Sequence, residues 1–196
     1  MPLSPKTPVF PGDPPLTIEG CDGSASDGGI IRHLKLSIIT HTGTHIDAPF
    51  HMLKDGKTLD EFPLETFMGE VVIIDVRGQK ILKPDLSNVH EGDAVFLCTD
   101  FSSDIERKDY FTNYPILTAE EAREFVAKKV RIVGFDAPSP DRDPYETHRL
   151  LLAHDILILE NLVNLVPLCG KRVRYTALPL KIHKADGAPC RVIIET

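Results

Sequence analysis

The residues able to do chemistry are concentrated in one stretch, His41-Thr42-Gly43-Thr44-His45-Ile46-Asp47-Ala48-Pro49-Phe50-His51. Three of the chain's eight histidines and one aspartate fall within it. Imidazole and carboxylate together are the donor set that suits zinc and its neighbours. The intervening residues are small or turn-forming, so the backbone can fold these side chains toward one point. His41 and His45 are four apart and would share a face on a helix. Gly43, the flanking threonines and Pro49 argue instead for a turn or one irregular helical turn. A catalytic metal site offers about three protein ligands and leaves a position for water, whose pKa falls from about 15.7 toward ~7 on the ion. His41, His45 and Asp47 suffice for one ion, with His51 as a further ligand or a proton carrier.

Asp47 has two oxygens and can bridge a second cation, which needs ligands from elsewhere. His148 and Glu160 are the candidates. Glu160 ends the apolar run Ile156-Leu157-Ile158-Leu159, where a carboxylate is costly unless paired or metal-bound. On spacing alone His154 competes with His148.

The elements that must position these groups follow from periodicity and capping. Residues 2–15 are proline-rich and read as an extended arm, and residues 21–29 as a flexible loop. Residues 30–40 alternate in part, with Leu34, Leu36 and Ile38 on one face, a strand pattern that would run into His41. Residues 71–76 and 94–98 are β-rich runs bounded by Gly and Asp, and read as buried strands. Residues 118–129 predict a helix, with Thr118 as N-cap, Glu121 as its capping-box partner and Ala122, Phe125 and Val126 facing inward. Residues 130–135 predict a strand, 145–155 a second helix, and 156–159, 172–182 and 190–195 the closing strands. No linker or repeat divides the chain, so we expect one α/β domain over residues 1–196.

Composition narrows the class. The chain has 196 residues, 42% hydrophobic and 26% charged, which fits a soluble globular domain with a real core. No apolar run approaches the ~20 residues of a membrane span. The first ten residues lack the basic and apolar blocks of a signal peptide, so a cytoplasmic location is expected. The net charge is −7 and basic residues do not cluster, which argues against nucleic acid as a partner. Cys21, Cys98, Cys169 and Cys190 are widely spaced, and buried reduced thiols are expected rather than a thiolate metal site.

The stretch from His41 to His51 resembles the signature His-x-Gly-Thr-His-x-Asp-x-Pro-x-His of the metal-dependent cyclase family, which includes the bacterial kynurenine formamidases (arylformamidases). The resemblance extends to Pro8-Val9-Phe10-Pro11-Gly12-Asp13-Pro14, Gly134-Phe135-Asp136-Ala137-Pro138-Ser139, Ile158-Leu159-Glu160-Asn161-Leu162, Leu178-Pro179-Leu180-Lys181-Ile182 and Asp186-Gly187-Ala188-Pro189. It implies an α/β domain with a barrel-like mixed β-sheet flanked by helices (a swivelling β/β/α-like fold). It implies a hydrolase of an amide or formamide C–N bond, such as N-formylkynurenine to kynurenine and formate in tryptophan catabolism by the kynurenine pathway. It further implies one or two Zn²⁺ ions, with Mn²⁺ as the alternative. His41, His45 and Asp47 would hold one ion, and Asp47, His148 and Glu160 the other, which favours His148 over His154. His51 matches the proton donor and acceptor. A homodimer or higher homo-oligomer is implied, in which neighbouring chains help close the site on a small aromatic or cyclic amide.

Two departures stand out. The formamidases carry tryptophan in the arm, where this chain has Phe10 and no tryptophan anywhere. Phe can still stack on an aromatic substrate but offers no N–H. The family's first strand precedes the arm, whereas this sequence starts at Met1-Pro2-Leu3, so an exposed sheet edge is expected. Two other readings remain open from sequence: hydrolysis of an isatin-type lactam, and a metal-binding dimer without catalysis. A serine hydrolase lacks its Gly-x-Ser-x-Gly turn, and no P-loop, GxGxxG or His-Glu-x-x-His motif occurs.

Overall fold

Short runs rich in Val, Ile, Leu and Phe form strands that are covered on both faces. The structure is a computed structural model describing residues 1–196. Its strands are β1 (Thr17–Gly20), β2 (Gly23–Ser24), β3 (Ile30–Ile31), β4 (Leu34–Ser37), β5 (His45–Asp47), β6 (Met68–Asp75), β7 (Ala94–Cys98), β8 (Ile132–Phe135), β9 (Leu157–Glu160), β10 (Arg172–Pro179) and β11 (Gly187–Glu195). The helices are α1 (Ala119–Lys128) and α2 (Glu146–Ala153), with several 3₁₀ turns besides. Seven strands close into a barrel in the order β10-β11-β5-β9-β8-β7-β6. The run β6-β7-β8-β9 is parallel and the other pairings are antiparallel, so the mixed barrel expected from the family resemblance is present.

The pleat splits the apolar residues into two cores. Val71, Ile73, Phe96, Ile132, Leu157, Leu159, Tyr175 and Ile46 fill the barrel. Val72, Val95, Leu97, Val133, Phe135 and Ile158 point outward, under Phe125 of α1 and Leu151 and Leu152 of α2. That double coverage explains why every residue of β7, β8 and β9 is buried. It also places the site. Ile46 and Leu159 point into the barrel, so His45, Asp47 and Glu160 lie on the outer face, toward α2.

Several expectations are corrected. The pattern over residues 30–40 is not one half-buried strand entering the motif. It breaks into β3 and β4, which pair with β2 and β1 in two small sheets outside the barrel, and Ile30, Ile31, Leu34 and Leu36 are exposed. The alternation is real, but nothing in this chain covers its apolar face. Residues 21–29 contain the hairpin strand β2 rather than loop alone. The proline-rich arm is not uniformly extended, because turns close at Ser4–Thr7 and Phe10–Asp13 through backbone bonds of 2.9 and 3.0 Å. Thr118 caps α1 by accepting from the Glu121 amide at 3.4 Å, while Glu121 Oε2 stays unpartnered, so the box forms by half. The thiols are all free, but only Cys98 is fully buried and Cys21 is exposed in the outer hairpin region. No helix is long and apolar enough to cross a membrane.

Candidate metal centre

The motif folds as a turn, a short strand and a 3₁₀ turn. Gly43 adopts φ +68°, a left-handed conformation that favours glycine. The turn aims the Gly43 carbonyl at the His45 ring, whose Nδ1–H donates to it at 2.8 Å. That bond makes Nδ1 the donor and leaves Nε2 as the nitrogen that faces the centre. Strand β5 then carries His45 and Asp47 on one face, and its register sets His45 opposite Glu160 of β9. His45 Nε2 lies 3.3 Å from Asp47 Oδ1 and 3.3 Å from Glu160 Oε2. His41 reaches back over the turn, with Nδ1 2.7 Å from Asp47 Oδ1.

The remaining ligand candidate comes from α2. Asp141, in the loop before it, accepts from the Thr147 amide at 2.6 Å and so caps the helix N-terminus with negative charge. Its other oxygen accepts from His148 Nδ1 at 2.5 Å. His148 Nε2 is thereby turned to the centre, 3.2 Å from Glu160 Oε1 and 3.8 Å from Asp47 Oδ2. His45, Asp47, His148 and Glu160 are at most 6% exposed.

At the centre three buried atoms have no hydrogen-bond partner: His45 Nε2, Asp47 Oδ2 and Glu160 Oε1. Lone pairs left unpaired in a buried site cost free energy that a cation would recover. Three sets of three donors each converge within 4.8 Å: His41-His45-Asp47 and Asp47-His148-Glu160, which share Asp47, and the less buried His41-His51-Asp186. The donor chemistry fits a divalent ion of the zinc or manganese kind.

The charge balance agrees. Burial disfavours the His41 imidazolium, but Asp47 and a hydrogen bond to Asp186 outweigh it and raise the pKa to about 9. Burial opposes His148 as well, and Asp141 and Glu160 outweigh it to raise that pKa to about 10. For Asp47, burial is overcome by His41 and His45, which hold the carboxyl well below its usual range. In the metal-free chain, protons on the imidazoles thus balance the buried carboxylates.

Phe10, His41, His45, His51, His148 and Glu160 meet at one cavity of about 310 Å³, and Asp47 lies beneath it. His51 stands over the centre, its ring 3.9 Å from that of His41 and 6.2 Å from that of His148. Phe10 lines the far wall and packs edge-to-face on Phe111 at 5.6 Å. His154 is exposed and turned away, bonded to the Leu150 carbonyl. Sequence reasoning missed Asp141, Phe111 and Asp186. Asp186 lies 3.0 Å from His41 Nε2 and 3.7 Å from His51 Nδ1. Its Asp-Gly dipeptide reads as a turn signal, and only the strand register exposes its role.

Comparisons with known proteins identify the family. The sequence pattern of the Cyclase family matches residues 1–142, a span that holds the motif but stops short of His148 and Glu160. A kynurenine formamidase of Bacillus mycoides (strain KBAB4) is 36% identical over 197 residues, covering 98% of this chain and 93% of that protein. Isatin hydrolase A from Labrenzia aggregata, solved with benzyl benzoate, superposes with a TM-score of 0.87 at 28% identity over 99% of this chain and 90% of the other. A solved structure described as a potential metal-dependent hydrolase with cyclase activity gives a TM-score of 0.79 at 26% identity, over 99% and 94%. A family match over more than half the chain, and a relative at 36% identity along nearly all of it, establish that this chain belongs to the Cyclase family.

Proposed function

We propose that the chain is a metal-dependent hydrolase of aryl formamides, with N-formylkynurenine as substrate. The observation that carries the proposal is the set of unpartnered lone pairs on His45, Asp47 and Glu160, buried beneath an aromatic-lined cavity that His51 overlooks. His41, His45 and Asp47 would hold one Zn²⁺, and Asp47, His148 and Glu160 would hold a second. When bound, such ions polarise the carbonyl oxygen and make water acidic enough to attack at neutral pH.

The residues of the chain supply the rest. Phe10 and Phe111 receive the aryl ring, and an edge-to-face pair of this kind adds about 0.5–1.5 kcal/mol beyond its buried area. His51 takes a proton from the attacking water as a C–O bond forms at the formyl carbon. It returns that proton to the departing nitrogen as the C–N bond breaks. The products are the aryl amine and formate, and all atoms of the amide and one water are accounted for.

A second reading is opening of a neutral cyclic amide of the isatin type. It is favoured by the lining of the cavity, which includes Asp13 and no Lys or Arg to receive a substrate carboxylate. The test is kcat/KM of the zinc-loaded protein on N-formylkynurenine beside isatin. Faster formate release than ring opening is expected, and the reverse order would transfer the site to lactams.

The exposed apolar residues Leu34 and Leu36 on β4, with Ile30 and Ile31 on β3, support a homodimer built through this arm. Four free cysteines fit a reducing, cytoplasmic setting. Sedimentation of Leu36→Glu beside the parent chain should show a monomer, with a thermal midpoint lowered only by the loss of association. A dimer that persists would move the interface elsewhere.

A further inference from the structure

We propose that Asp186 is a positioning residue that orients the proton carrier His51 and the ligand His41 through a single carboxylate. The inference rests on the reading that His51 carries the proton, and it gives an orienting role to a residue outside the motif that could also be a donor to an ion beside His41 and His51.

The position of Asp186 is set by the barrel. Strand β11 begins with Gly187 paired opposite Asp47 of β5. The Asp186 carbonyl accepts from the Ala48 amide at 2.8 Å, tying its backbone to the residue that follows the strand. A side chain at 187 is excluded, because a Cβ there would stand 2.7 Å from His41 Cε1 and 2.8 Å from the Ile46 carbonyl oxygen. The glycine thus lets the His41 ring lie against the start of β11, within reach of the preceding carboxylate.

The carboxylate then divides its two oxygens. Oδ1 accepts from the Thr40 hydroxyl at 3.0 Å. Oδ2 lies 3.0 Å from His41 Nε2 and 3.7 Å from His51 Nδ1. His41 Nδ1 already faces Asp47 at 2.7 Å. A neutral imidazole carries one N–H, so donation from Nε2 to Asp186 leaves the Nδ1 lone pair for an ion. That is the carboxylate–histidine–metal arrangement which fixes ring orientation and ligand basicity. The same Oδ2 favours the Nδ1–H tautomer of His51. Its Nε2 is then the basic nitrogen, on the ring edge away from Asp186. The two rings are stacked at 3.9 Å with a 35° tilt, so one anchor serves both. At 3.7 Å the His51 contact is longer than a hydrogen bond, and catalytic contacts of this length tighten when substrate is bound.

Asp186→Asn keeps the shape and removes the charge. The first readout is independent of turnover: ¹⁵N NMR of histidine-labelled protein, with the His51 signals assigned by comparison with His51→Ala. His51 should be protonated on Nδ1 in the parent chain and shift toward Nε2 in Asp186→Asn, while at saturating zinc both bind the same number of ions. An unchanged tautomer overturns the proposal, and loss of an ion from Asp186→Asn overturns it in favour of a ligand role. The second readout is a double-mutant cycle on kcat. Asp186→Asn should lower kcat by roughly 10–100-fold with KM little changed when His51 is present, and by a clearly smaller factor in His51→Ala, where only the hold on His41 is left to lose. Equal losses in both backgrounds overturn the proposal alone. Parent-like turnover by His51→Ala overturns the underlying assignment of His51 and the proposal with it. If Asp186→Asn does not fold, Thr40→Val removes only the anchor and runs the same cycle with the same signs expected.

Discussion

The two halves of the centre are built in different ways. His41, His45 and Asp47 come from seven consecutive residues, and their geometry is set by the Gly43 turn and a three-residue strand. His148 and Glu160 come from a helix and a barrel strand, and they meet only because α2 packs on β9. The first half is local and the second depends on the closed barrel. Both converge on Asp47, whose carboxylate faces His41 and His45 on one side and His148 on the other. Each half also has its own orienting carboxylate, Asp186 for His41 and Asp141 for His148.

The largest effect should come from removing what the halves share. Asp47→Ala should abolish binding at both sets and lower activity by about 10³-fold or more, since metal polarisation supplies several kcal/mol. Retention of either ion, read by elemental analysis, would show that the halves do not depend on one bridge. His51→Ala should keep both ions and lose about 10²–10⁴ in kcat. Parent-like turnover would remove His51 from the chemistry.

Smaller effects should separate the halves. Asp141→Asn should weaken the ion at His148 and Glu160 by about 10–100-fold and spare the other. Its thermal midpoint should change little, because asparagine keeps an acceptor for the Thr147 amide and loses only the charge at the helix N-terminus. Equal weakening of both ions would mean that the halves are not separable.

The gentlest probe is pH. With His41 raised to about 9 and His148 to about 10 in the metal-free chain, an ion must displace a proton from each. Metal binds the deprotonated ring, so affinity should rise with pH up to those values and level off above them. Between pH 6 and pH 8 the gain should be roughly 10²-fold for each proton displaced. A flat profile by competition with a chelator would mean that the rings are neutral before metal arrives.

The same contrast explains what could be read from the sequence. The local half was legible because its donors, spacing and turn residues are contiguous. Glu160 was legible as a carboxylate ending an apolar run, whereas His148 was chosen over His154 only through the family resemblance. Asp141 and Asp186 were not legible, because an aspartate in a proline-rich loop or before glycine has the signature of a turn. The barrel strands were readable from their β-branched runs, but the ends were not. Strand β10 stops at Pro179 rather than reaching Ile182, and β11 starts at Gly187 rather than Cys190. The alternation over Leu34, Leu36 and Ile38 identified an apolar face without saying what covers it. Periodicity reports polarity along the chain, and burial is decided by the rest of the fold or by a second chain.

The most direct test of the account is a metal titration of stripped protein, with bound ions and N-formylkynurenine turnover measured on the same samples. The account predicts that the stripped chain is inactive, and that activity returns with added zinc and saturates at two ions per chain. Full turnover by the stripped chain, in the presence of a chelator, would contradict it.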